Sequence, residues 1–473
     1  MSQWSHNLQH AAVAADQRHA LRPWTHFDSF EKDEALVITK GEGAWLEDAK
    51  GKRYLDAVGG LWCTNIGLGR DEMAEAIADQ VRELAFSSTF LDMTNAPAAM
   101  LAEKIASLTP ADLNRVHFTT GGSSAIDSAF RMVHFYQTCR GRPEKIHVIA
   151  REQAYHGSTY AAMSIGCKSI DRGPEFRFIT DTIHHISEPD IYRRGHGLSE
   201  EEFTAELVAE FEVKIAEIGP DKVGAFFAEP IMGAGDVIAP PKGYFKAMTE
   251  VCKKHDILFV ADEVVTAWGR LGHWFASEDV FGVVPDIICT AKGLSSGYLP
   301  IGAMIYSDRI HDVISKGDPD RWYTSGFTYS GHPVCCAAAL KNIEILEREG
   351  ILDHVRDVGA YFEEQVKTLR DLPGVGDVRG YRMMMCVENV ADKETRELHD
   401  YELNIDKRIS NRAEELGLIV RPIGHLNVMS PPLTITRADV DDIVSKLGQT
   451  IEDVTKALQP VYVGPCFLGM TPR

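Results

Sequence analysis

Two residues, Asp262 and Lys292, stand where a carboxylate and an amine could act on one ligand. Asp262 directly follows the apolar run 257–261, and Lys292 lies one residue past the run 287–290, after Ala291. Both runs are too short for a core helix, are rich in branched residues, and end at once in charge or Gly/Ser. Continuous rather than alternating hydrophobicity of that length reads as parallel strands covered on both faces. Ligands of open α/β sheets sit beyond the carboxyl ends of the strands, so the pattern predicts that Asp262 and Lys292 face one crevice. Taken singly, each residue reads as a solvated turn residue; together they ask for a common purpose.

The chemistry that needs such a pair is that of pyridoxal phosphate. Desolvation lowers the pKa of a lysine and leaves the neutral amine that condenses with a carbonyl. The same cofactor requires a carboxylate opposing a protonated pyridine nitrogen. After Lys292 comes Gly293-Leu294-Ser295-Ser296-Gly297, read as a flexible loop that lets backbone approach a ligand closely.

The elements that must position these groups follow from periodicity. Trp45-Leu46 and Tyr54-Leu55 around Asp48-Ala49-Lys50-Gly51 predict a hairpin. Met73, Ile77, Val81 and Leu84 fall on one face of a helix over 71–85. A second helix runs to about Ser107, with Pro97 in its first turn. The strand 116–119 is followed by Thr120-Gly121-Gly122-Ser123-Ser124 and then by the helical stripe Ile126, Ala129, Phe130, Val133. Strand, Gly/Ser loop and helix N-terminus together make an anion site, because free N–H groups and the helix dipole point to one place; a capped helix with nothing bound gives the same pattern. A strand over 146–150 precedes Tyr155-His156-Gly157-Ser158-Thr159. Ser199 with Glu202 opens a helix as a capping box, with the stripe Phe203, Leu207, Phe211, Ile215, Ile218 and a stop at Gly219-Pro220. The strand 223–228 ends on Glu229. Such alternation predicts an α/β fold with a mostly parallel sheet. Past about residue 330 the texture changes to helices with shorter strands, which predicts a second, smaller α+β domain packed firmly on the first.

Composition narrows the function classes. The chain has 473 residues, 44% hydrophobic and 25% charged, as an ordinary globular enzyme does. Its 69 acidic against 49 basic residues give a net charge of −20, which disfavours nucleic acid or an anionic membrane as partner. Nine scattered cysteines without CxxC pairs suit reduced thiols in a cytoplasmic protein. His332, Cys335 and Cys336 match no zinc spacing and read as core, while His184-His185 reads as ordinary surface. No apolar run is long enough to span a membrane, and the N-terminus lacks the apolar core of a secretory signal. An arm bearing Trp24 and Phe27 around Pro23 is expected to pack on something, a partner subunit included; otherwise the first 35 residues show few strong patterns.

The runs ADEVVTAWGRLG, TAKGLSSGYLPIGA, FAEPIMGAG, AYHGST and GFTYSGHPV, in that spacing over nearly the whole chain, resemble the class III aminotransferases of PLP fold type I. The nearer likeness is to the amine:pyruvate omega-transaminases. The resemblance implies pyridoxal 5'-phosphate as cofactor, with Lys292 as Schiff-base lysine and proton carrier and Asp262 paired with the pyridinium nitrogen. It implies Tyr155 against the ring, Gly122 and Ser123 on the phosphate with Thr328 from a neighbouring subunit, and Glu229 in the surrounding hydrogen-bond shell. Arg421 resembles the mobile arginine that binds the carboxylate of pyruvate; without the resemblance it reads as a surface arginine after Leu418-Ile419-Val420. Trp62 and Phe86, with Trp24 as a third, resemble substrate-pocket walls, though Trp62 reads equally as a core tryptophan. The implied partners are a primary amine or omega-amino acid donor, pyruvate or another 2-oxo acid, and a second copy of the chain sharing its active sites, as a dimer or tetramer. The implied domains are 1–70 (arm and part of the small domain), 71–329 (large, cofactor-binding) and 330–473 (small).

Three positions depart from the family pattern. Ser124 stands where an acidic residue is usual, Trp268 where a phenylalanine is, and Arg382 where a glycine is. Other reactions of the same cofactor (decarboxylation, racemisation, aminomutation) and a non-catalytic cofactor-binding role remain open to the sequence. A nicotinamide oxidoreductase is disfavoured, since no GxGxxG follows a strand.

Overall fold

The computed structural model describes residues 8–27 and 35–458. Strands β1 (Ile38–Glu42), β2 (Trp45–Asp48) and β3 (Arg53–Asp56) form an antiparallel meander, the predicted hairpin with one strand added before it. The Asp48 carboxylate closes the β2–β3 turn by accepting from the Lys50 and Lys52 N–H groups.

The central sheet contains β4 (Arg115–Thr119), β5 (His147–Arg151), β6 (Ile183–Ile186), β7 (Val223–Ala228), β8 (Leu258–Asp262), β9 (Ile287–Thr290) and β10 (Gly302–Tyr306), in the order β4-β10-β9-β8-β7-β5-β6. Only β10 runs antiparallel to its neighbours, so the sheet is mostly parallel as predicted. Every residue of β7, β8 and β9 is buried. Phe226, Ala228, Phe259 and Ala261 enter one core while Ala225, Phe227, Leu258 and Val260 enter the other. That is the reason for the unbroken hydrophobic runs: each face has its own helices to meet. Helix Gly122–Cys139 brings Ile126, Ala129, Phe130 and Val133 to one face. Helices Glu200–Ile218 and Tyr244–Lys254 bring Phe203, Phe211, Phe245 and Met248 to the other. The Ser199 capping box forms as expected, with both reciprocal bonds in place.

A third, antiparallel sheet is built from β11 (Val375–Tyr381), β12 (Met384–Asn389), β14 (Arg421–Ile423) and β15 (Leu426–Met429). The remaining strand, β13 (Leu418–Ile419), joins the N-terminal meander by pairing in parallel with β3. Arg270 bolts these parts together. It is fully buried, donating from Nη1 to the carbonyls of Met383 and Pro431 and from Nη2 to Asn65 Oδ1. Replacing it by Met strands three acceptors away from water and is expected to cost about 3 kcal/mol. A thermal midpoint unchanged in Arg270→Met protein would show that these bonds do not hold the sheets together.

Several expectations need correction. The first described residues form a helix, Leu8–His19, whose alanine-rich sequence favours helix without any apolar stripe. The stripe of helix Asp71–Leu84 is covered over its first half: Met73 is buried and Ile77 packs half-buried on the core, but Val81 and Leu84 are 49% and 37% exposed. His184 and His185 are half-buried residues of β6 rather than ordinary surface. His185 Nε2 donates to the Ile165 carbonyl at 2.9 Å, and burial pulls its pKa down to about 4. An imidazole is compact enough to sit inside a parallel strand when its ring nitrogens find partners.

Candidate active site

The carboxyl ends of β4, β5, β7, β8 and β9 open on a cavity of about 440 Å³. Asp262 and Lys292 both line it, as do Gly122, Ser123, Tyr155 and Glu229. Asp262 is the last residue of β8, 5% exposed, and it is held at both oxygens. Oδ2 accepts from His156 Nδ1 at 2.7 Å and Oδ1 from the Val264 N–H at 3.1 Å. Its neighbour Glu263 points the opposite way, where it accepts from Thr266, from the Ala276 N–H, and from the N–H and hydroxyl of Ser277. The alternation of the strand thus sends one acid into the cavity and uses the other to pin a loop.

Lys292 begins a short 3₁₀ turn with φ of +41°. Burial pushes its pKa down against the opposing pull of Asp262, which favours the neutral amine. The turn that follows is not flexible, contrary to the sequence reading. Ser295 and Ser296 are buried, Asn342 Nδ2 donates to the carbonyls of Gly293 and Leu294, and Ser296 Oγ donates to Asn342 Oδ1. Gly293 is needed for protein packing rather than for a ligand, since a Cβ there would lie 2.3 Å from Asn65 Nδ2. The lysine is therefore carried on a rigid base.

Opposite it, the Gly121–Ser123 loop leads into helix Gly122–Cys139 and sits against the 157–159 loop. Ser123 Oγ accepts from the Ser158 N–H, and Thr159 Oγ1 donates to the Ser123 carbonyl. Both glycines here are forced by closeness. A Cβ on Gly122 would meet Val264 at 2.9 Å, and one on Gly157 (φ +137°) would meet Ser123 Oγ at 2.4 Å. Ser124, the departure in this loop, turns inward and donates to the Gly121 carbonyl. It keeps the helix N-terminus in shape without supplying a charge.

Glu229 is buried, and desolvation raises its pKa. Its oxygens accept from the Gly233 N–H at 2.7 Å and the Tyr155 N–H at 3.3 Å, so it fixes the tyrosine's backbone. Trp62 is 4% exposed and in the left-handed region (φ +62°). The buried Asp56 carboxylate holds that strained turn by accepting from the N–H groups of Val58 and Gly60. The indole lies 5.8 Å from both Lys292 Nζ and the Arg421 guanidinium. Arg421 starts β14 and is half-buried; Nε finds no hydrogen-bond partner among the described residues, and burial lowers its pKa. Trp62 is thus a wall of the cavity; Arg421 is not a lining residue but lies beside that indole.

Two residues named by the resemblance lie outside this cavity, Phe86 and the Thr328 expected to serve a neighbouring subunit's site. Thr328 is exposed and outside this cavity, and Phe86 is 45% exposed, packed on Tyr329 and His332. They lie near each other on an open face instead of near Lys292. His156 was missed as a site residue. It is buried, bonded to Asp262, and its Nε2 has no partner among the described residues. Its place between Tyr155 and Gly157 was the available signal. The two remaining departures are absorbed by packing. Trp268 is fully buried, with Nε1 donating to Thr290 Oγ1 at 2.6 Å. Arg382 (φ +51°) pairs with Glu363 at 3.1 Å.

The lining fits pyridoxal phosphate. An amine disposed to be neutral, a carboxylate bonded on both oxygens, and a glycine-lined helix N-terminus meet the demands of its aldehyde, its ring nitrogen and its phosphate. Comparison with known proteins agrees. Residues 28–451 match the family model Aminotransferase class-III. A putrescine–pyruvate aminotransferase of Pseudomonas aeruginosa is 39% identical over 451 residues, 94% of this chain and 96% of that relative. An (S)-enantioselective omega-transaminase from Thermomicrobium roseum superposes with a TM-score of 0.92 at 38% identity, covering 96% of this chain and all (100%) of the other. A PMP-bound aminotransferase from Vibrio fluvialis gives 0.90 at 35% identity, covering 94% and 98%. With a family model spanning most of its length and relatives alike from end to end, the chain belongs to the class III aminotransferases, PLP-dependent transaminases of fold type I.

Proposed function

We propose that this enzyme moves an amino group from a primary amine or omega-amino acid to pyruvate, forming alanine, in a ping-pong cycle. The observation that carries the reading is the placement of Lys292 and the doubly bonded Asp262 in one cavity, with Arg421 beside the Trp62 wall. When bound, pyridoxal phosphate supplies an electron sink that weakens the bonds of the amine-bearing carbon. Lys292 takes the proton from that carbon, since burial keeps its amine unprotonated at lower pH than a free lysine. In the second half of the cycle it delivers a proton to the carbonyl carbon of pyruvate. Asp262 holds a positive charge opposite it, and His156 positions Asp262. Tyr155 and Trp62 shape the space and exclude water.

Arg421 receives the carboxylate of pyruvate as a charge-assisted fork. Arg421→Gln is expected to weaken that binding by about 2 kcal/mol, raising the KM for pyruvate about thirtyfold. A single turnover with an uncharged-tail amine should stay near wild type. Assaying alanine from pyruvate over a panel of amines tests the whole reading. Carbon dioxide release without alanine would overturn it.

The enzyme acts as a homodimer with shared sites. Phe86 and Thr328 lie on an open face that also exposes Phe90, Leu91 and Tyr329, an apolar surface suited to burial against a second copy. From there they would enter the partner's cavity. The chain divides at about residues 70 and 330, a division supported by β13 returning to pair with β3. A cytoplasmic setting is supported by the described cysteines being free and by no described helix being long and apolar enough to cross a membrane.

A further inference from the structure

Just outside the lining of the cavity stands one carboxylate that forms no ion pair among the described residues. Asp171 ends the 3₁₀ turn Ser169–Asp171 and is half-buried. Its Oδ1 accepts from Trp24 Nε1 at 2.9 Å, and the Trp24 ring stands edge-on to Tyr155 with centroids 5.8 Å apart. Tyr155 lines the cavity, so the N-terminal segment and this turn meet at its mouth. Among the described residues no lysine, arginine or histidine forms an ion pair with Asp171. Its charge is nonetheless felt inside: it opposes the lowering of the Arg421 pKa and adds to the raising of the Tyr155 pKa. A half-buried carboxylate held in place by an indole N–H, with its other oxygen uncommitted, is a receptor for a cation. The exposed indole beside it offers a second, cation–π contact to the same cation.

Resting on the aminotransferase reading, we propose that Asp171 selects amine donors bearing a second positive charge, receiving the distal ammonium of an α,ω-diamine at the mouth while the other amine reaches Lys292. A monoamine cannot use this contact. The need for it is electrostatic: Arg421, beside the Trp62 wall and within the field of Tyr155 and Asp171, repels a second cation unless an anion nearby offsets it.

The test compares kcat/KM for diamines of four to six carbons with the monoamine of each length, pyruvate as acceptor, in wild type, Asp171→Asn and Trp24→Phe. Asparagine keeps an acceptor for Trp24 Nε1 and removes the charge. Asp171→Asn should lower kcat/KM about tenfold for a diamine while the matched monoamine changes less than about twofold. Trp24→Phe, which keeps the charge, should retain most of the preference. Equal losses for both donor classes would mean a structural role through Trp24, and no loss would mean no role; either overturns the proposal. So would a changed pyruvate KM measured with a monoamine, which would make Asp171 the counter-ion of Arg421. Wild type forming no alanine from any amine would sink the aminotransferase reading itself, an outcome distinct from the others.

Discussion

Lys292→Ala enzyme is expected to lose amino transfer by about 10⁴-fold or more, the scale on which a positioned proton carrier acts. The side chain projects into the cavity from a turn whose hydrogen bonds are made by Gly293, Leu294 and Ser296 with Asn342. Truncating it therefore leaves that framework whole, and the variant should melt like wild type. Alanine formed from pyruvate is the measurement, and added small amines should restore part of the rate by standing in for the missing base. The pH profile carries a second check. Burial lowers the lysine's pKa, so the limb on which activity rises with pH should lie below the range of an ordinary lysine. A variant retaining a tenth of the wild-type rate would remove Lys292 from the proton transfers.

Asp262→Asn is expected to cost about 10³-fold in kcat, within the range for losing one preorganised charge at a reacting group. The amide fits the same space but carries no negative charge to hold a proton on the ring nitrogen. It also meets His156 Nδ1 and the Val264 N–H with one good acceptor where the carboxylate offered two. The readout is split on purpose: cofactor affinity from its absorbance, and turnover at saturating cofactor. Loss of affinity alone, with turnover intact once the cofactor is saturating, would reduce Asp262 to a binding residue.

These two residues were legible in the chain because the clues to them are local. A strand covered on both faces must be apolar without interruption, and the first polar residues after it mark its carboxyl end. The capping box of Ser199, the stripe of helix Gly122–Cys139 and the glycine loop before it are likewise read from near neighbours. The resemblance of motifs then suggested roles that spacing alone left open, such as the carboxylate-binding one proposed for Arg421.

Other features had no local sign. β5 lies beside β7, and β4 beside β10, so the order of strands is out of step with the chain; that order is what brings His156 to Asp262 and Ser123 to Ser158. The 293–297 loop looks loose in composition, yet Asn342, some 50 positions on, makes it rigid. Phe86 and Thr328 carry the right side chains but stand on an open face away from Lys292. Residue types and short-range periodicity reveal which groups can do chemistry and which elements carry them. Which groups meet is set by contacts between distant segments, and these depend on the packing of whole sheets and helices, a long-range property that no short window of sequence contains.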